Sequence, residues 1–87
     1  MSIDVKQAVG IALKFADDMF ANDRIIDARL EEVERAECES KWLVTLSFVR
    51  EPVKASEAFA APTREYKIFA IQVQTGDVEW MKIRQPV

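Results

Sequence analysis

The apolar residues of this chain recur at helical spacing once, near the start, and at strand spacing everywhere after that. At 100° per residue, Val5, Ala8, Val9, Ile11, Ala12, Leu13, Phe15, Ala16, Met19 and Phe20 fall on one arc, and Lys6, Gln7, Gly10, Lys14, Asp17 and Asp18 fill the rest. The arc spans about 200°, twice the stripe of an ordinary surface helix, and predicts a helix lying deep against a broad sheet. Asp4 is placed to cap it, with Gln7 three residues on to complete a capping box and Ile3 and Ala8 at staple positions. Asn22 and Asp23 are the expected stop.

Past that stop the period is two. Ile26, Ala28 and Leu30 alternate with Asp27, Arg29 and Glu31, and Val33 then falls out of phase, which predicts a β-bulge near Glu31-Glu32. Glu37-Cys38-Glu39-Ser40 reads as a polar hairpin connection. Trp42, Val44, Leu46 and Phe48 form the most regular strand stripe, followed by strands at Arg64–Val73 and Val78–Arg84. Gln74-Thr75-Gly76-Asp77 between them is a turn in which Gly76 supplies the positive φ. Residues 1–87 are therefore expected to form one α+β domain, an N-terminal helix packed on a four-stranded antiparallel meander. Leu30, Trp42, Val44, Leu46, Phe48, Phe69, Ile71, Val73 and Val78 are its expected inward set.

Charge and composition exclude more than they assign. The net charge of −3 is uneven: residues 1–40 carry 5 basic and 10 acidic groups, residues 41–87 carry 7 and 5. Such an acidic chain is a poor partner for nucleic acid or an anionic membrane, because phosphate neutralisation needs clustered Lys and Arg. No apolar run approaches the roughly 20 residues of a membrane span. With no basic-then-apolar leader after Met1 and a single thiol, a cytoplasmic location is expected.

Catalytic patterns are missing in the same way. Zero His removes the commonest triads and metal ligand, and one Cys removes disulfides, CxxC pairs and multi-cysteine zinc sites. Glu37 and Glu39 flank Cys38 and disfavour its thiolate. Asp17, Asp18, Asp23, Asp27, Glu31, Glu32 and Glu34 read as a solvated acidic face, with no calcium-loop spacing among them. The serines lack GxSxG or SxxK contexts, and two distant glycines make no phosphate loop. Neither catalysis, a cofactor nor a metal is expected.

The segment Tyr66–Ile83, YKIFAIQVQTGDVEWMKI, resembles the closing hairpin of PepSY-type domains, in which a strand runs into a TGE/TGD-type turn and returns through an apolar strand. The leading helix and the WLVTLSF strand sit where that family's pattern would place them. The resemblance implies a cystatin-like α+β fold and a binding or inhibitory role toward peptidases. Members of that family are often secreted or membrane-anchored, and this sequence carries no such signal. Gln72-Val73-Gln74-Thr75-Gly76 is also similar to the QxVxG hairpin of cystatins, but Gln74 replaces Val and the segment lies in the last hairpin, so an ordinary turn is expected.

The outward parity of the strands is the unusual feature. Leu43, Thr45, Val49, Tyr66, Ile68 and Ala70 alternate with the inward set and can form an apolar patch, joined by Trp80 if the parity of the fourth strand allows, where a water-facing sheet would carry polar residues. Either the 51–63 segment folds back over part of this patch, or a bulge reverses its phase, or the patch is an interface; the expected role is then a non-catalytic protein-binding module, most simply a homodimer through this face. An immunity- or inhibitor-type protein acting on a toxin or peptidase and a small-ligand carrier stay open as alternatives; the wide helical arc leaves the carrier little cavity. The Ala- and Pro-rich segment Glu51 to Thr63 reads as a loop, either mobile and exposed around Phe59 or folded so that Phe59 plugs the core edge.

Overall fold

A computed structural model describes residues 2–21, 24–36, 38, 40–51 and 64–84. Helix α1 spans Val5–Met19, and the strands are β1 (Arg24–Ala36), β2 (Lys41–Glu51), β3 (Arg64–Gln72) and β4 (Val78–Ile83). The strands pair antiparallel in the order β1-β2-β3-β4, a meander with α1 packed on one face. This is the helix-on-sheet α+β arrangement that the change of period implies.

The helix starts where its sequence says. The Asp4 side chain accepts from Gln7 N at 2.8 Å and the Gln7 side chain accepts from Asp4 N at 2.8 Å, completing the capping box. The expected stop at Asn22-Asp23 lies outside the described residues; Phe20 is the C-cap, its N–H donating to Ala16 O. The small residues Ala8, Ala12 and Ala16 form the contact line, buried against Val44, Leu46, Phe48, Phe69 and Ile71. Larger side chains flank that line: Phe15 meets Phe69 edge-on with centroids 6.0 Å apart, and Phe20 leans on Phe48 at 5.4 Å. The Arg50 guanidinium lies 4.9 Å from the Phe20 ring centroid and closes that end of the core.

Two expectations are corrected. The helix is seated less deeply than its arc implies: Val5, Leu13 and Met19, at the margins of the apolar arc, are exposed, Met19 at 56%. The alanine line sits directly on the sheet, and the flanking side chains overhang it. In β1 Ile25 and Val33 pack against the core; Leu30, opposite Leu46, is on the helix side as expected but is 49% exposed, Ala28 lines the groove on that same side, and Ile26, opposite Val49, is on the outer face. A pair of register shifts puts Ile26 on the opposite side from Leu30 and brings Val33 back into phase with it. One falls between Leu30 and Glu32, at the expected bulge; the other, between Ile26 and Arg29, surrounds Asp27, whose φ of +52° is in the left-handed region that aspartate tolerates. One extra residue reverses the side of everything beyond it.

The remaining corrections concern ends. β2 runs through Glu51, which the sequence reading places in the loop, and Phe59 lies outside the described residues. Cys38 is exposed, with φ +56°, in the turn before β2.

The β3–β4 turn is docked rather than free. Gly76 has φ +80°, and a Cβ there would stand 3.1 Å from Ile11 Cδ1, whereas a Cβ on Gly10 in mid-helix would meet nothing within 4 Å. The two glycines therefore respond oppositely to alanine. Gly76→Ala is expected to lower stability by about 1–3 kcal/mol through backbone strain and contact with α1. Gly10→Ala is expected to raise it by about 0.5–1 kcal/mol, because a helix interior favours alanine. Urea denaturation of both variants checks the pair.

Candidate functional site

Antiparallel partners project to the same side, so register alone assigns the sheet's outer face. Glu34, Leu43, Ala70 and Trp80 form one row across it; Glu32, Thr45, Ile68 and Lys82 form the next; Arg29, Ser47 and Tyr66 follow, then Ile26, Val49 and Arg64. All seven residues expected in the apolar patch stand on this face, on three adjoining strands. Their exposure separates them. Leu43, Val49, Tyr66, Ile68 and Trp80 are half-buried, whereas Ala70 (0%) and Thr45 (2%) have almost no surface to offer.

What covers Thr45 and its neighbour Ser47 are two arginines that sequence reasoning does not single out. The Arg84 backbone N–H donates to Tyr66 O at 2.9 Å, which continues the β3–β4 pairing and places its side chain on the outer face. From there Arg84 Nη1 donates to Thr45 Oγ1 at 2.7 Å on β2 and to Glu32 Oε1 at 2.9 Å on β1. Arg64, on β3, reaches the same way: Nη1 donates to Ser47 Oγ at 2.8 Å and to Asp27 O at 3.1 Å, and Nη2 pairs with the Asp27 carboxylate. The Ser47 hydroxyl donates in turn to Glu31 Oε2 at 2.6 Å. Two straps thus cross the face from the basic strands to the acidic one, with aliphatic stems lying over the sheet and guanidinium groups satisfied. Both β1 bulges serve them, since Asp27 and Glu31 occupy the shifted positions.

A third polar group closes the far end. Glu79 sits 2.7 Å from Lys41 Nζ and accepts from Gln72 Nε2 at 2.5 Å. Lys82 lies with its ammonium 4.5 Å from the centre of the Trp80 ring.

These contacts set the electrostatics. The hydrogen bond from Arg84, and then its charge, holds the Glu32 carboxyl below the ordinary carboxylate range and raises Arg84 in turn. Hydrogen bonds from Lys41, then Gln72, lower Glu79. Carboxyls that titrate lower when folded contribute fully above their ordinary range, and the contribution drains away as pH falls through the folded values.

The opposite side of the sheet carries a groove. It has a volume of about 400 Å³ and lies between α1 and β1, lined by Leu13, Ala16, Asp17, Ile25, Ala28 and Phe48 among others. It corrects the expectation that the wide helical arc leaves little room there. Lys14 also lines it but pairs with Asp18 at 3.4 Å.

Among the described residues no three His, Cys, Asp or Glu side chains are grouped to hold a metal ion, and no helix is long and apolar enough to cross a membrane. No protein-family model, curated protein or solved structure matches the chain.

Proposed function

We propose that this chain is a non-catalytic protein-binding module that self-associates through the outer face of its sheet. The observation that carries the reading is the half-buried apolar set Leu43, Val49, Tyr66, Ile68 and Trp80, on a face where no helix or strand packs among the described residues. A sheet with one face in water normally alternates to polar residues there. The charged straps cross the same surface, so its apolar side chains are interleaved with polar groups already satisfied within the protomer. The likeness of the closing hairpin to PepSY-type domains agrees with a binding role. Four strands about 4.8 Å apart and some six residues deep give a footprint of roughly 400 Å² on each protomer. That is small for a specific interface, so the proposed association is weak and reversible.

Ile68→Lys tests the reading, because it puts a charge at the centre of the patch and leaves the helix-facing core untouched. The expected product is a folded monomer with an unchanged circular dichroism spectrum. A variant that sediments as the wild type does would contradict the proposal.

The groove beside α1 supports a second reading, a small apolar ligand held between helix and sheet. Its volume lies at the low end for ligand pockets, and few polar groups converge on it, which places this reading second.

A further inference from the structure

The self-association proposed above leaves the orientation of the second copy open, and the charges on the outer face choose it. On β1 the outward register positions of this face carry Asp27, Glu31, Glu32 and Glu34 against Arg24 and Arg29 among the described residues. On β3 and β4 it carries Arg64, Lys82 and Arg84 against the single anion Glu79. One side of the face is acidic and the other basic.

Two identical sheets stacked face to face can be related by a two-fold axis along the strands or across them. An axis across the strands lays β1 on the partner's β1, acid against acid. An axis along the strands lays β1 on the partner's β4 and repeats that contact by symmetry, acid against base both times. We infer that a second copy of this chain docks with its two-fold axis parallel to the strands, its β4 over β1 and its β1 over β4. The aligned packing of twisted sheets, about 30° apart, accommodates this arrangement.

Most charges on the face are already engaged within the protomer, Glu32 by Arg84, Asp27 by Arg64 and Arg29, and Glu79 by Lys41. Glu31 is held by the Ser47 hydroxyl, and Glu34 and Lys82 are exposed and make no ion pair among the described residues, Glu34 being near enough to Arg84 for their charges to interact. Glu34 lies in the row of Trp80, two residues along β4 from Lys82. That offset is about 6.7 Å of strand, within the span of the two side chains reaching toward each other. The orientation therefore brings Glu34 of each protomer to Lys82 of its partner.

Sedimentation equilibrium of Glu34→Lys, Lys82→Glu and their equimolar mixture tests this at low salt, with circular dichroism to establish folding. Each single variant replaces two attractive contacts by two repulsive ones and is expected to weaken dimerisation about tenfold. The mixture restores a dimer close to wild-type strength, and the differences shrink in 1 M salt. A Glu34→Lys dimer tighter than the wild type indicates the crosswise axis and overturns the inference. A wild-type dimer indifferent to both variants also overturns it while leaving self-association intact. A monomeric wild type removes the self-association on which it rests.

Discussion

Phe48→Ala is expected to cost about 3–5 kcal/mol of folding stability. Its side chain is fully buried at the centre of the core, under the alanine line of α1 and against the Phe20 ring. Removing it deletes most of a benzyl group from a site whose neighbours are held by the sheet and cannot collapse into the space. A domain of 87 residues has roughly 4–13 kcal/mol in total at typical per-residue stability, so this one change consumes a large part of it. Urea unfolding followed by Trp fluorescence measures the loss. Leu30→Ala is the control: Leu30 belongs to the simple alternation of β1, but its exposure predicts a loss of about 1 kcal/mol or less. Equal losses for the two variants would contradict the exposure of Leu30 at the uncovered edge of the helix side.

Ala12→Phe is expected to be comparably damaging for the opposite reason. Ala12 is fully buried at the middle of the line where α1 touches the sheet, between Ala8 and Ala16. Three small residues one turn apart let the helix backbone approach closely, and the space is already filled. A phenyl ring must lift the helix or force strained rotamers, at about 3 kcal/mol or more. A thermal melt beside Ala12→Ser separates overpacking from a general intolerance of that position. The serine variant, close in size, should lose clearly less than the phenylalanine variant.

The elements of the fold are legible where local chemistry speaks alone. Asp4 and Gln7 mark the helix start, the Trp42–Phe48 alternation marks β2, and Gly76 marks the last turn; each stands where its residues imply. β1 is not legible by counting. Its alternation selects Ile26, Ala28 and Leu30, but the positive φ at Asp27 inserts a shift that no spacing rule announces. The helical arc misleads differently: hydropathy treats Leu13 and Ala12 alike, whereas contact with a flat sheet selects the small residue and leaves the large one at the margin.

The outer face is legible in part for a related reason. Its apolar members follow from strand parity. Its straps depend on which residues lie side by side across the sheet, so Arg84 and Glu32, 52 positions apart, become neighbours only through the registers of three strand pairs, and Asp27 and Glu31 come into place through the bulges. One signal was available: Arg64 and Arg84 share the parity of Tyr66 and Trp80, and an arginine on an apolar stripe invites a search for its carboxylate.

Sedimentation equilibrium of the wild-type chain, from low to high micromolar concentration, addresses the proposed role most directly. Self-association through the outer face predicts a weight-average mass that rises from 9.9 kDa toward twice that value, with Ile68→Lys held at the lower mass throughout. A wild-type protein that stays at 9.9 kDa across the whole range would contradict it.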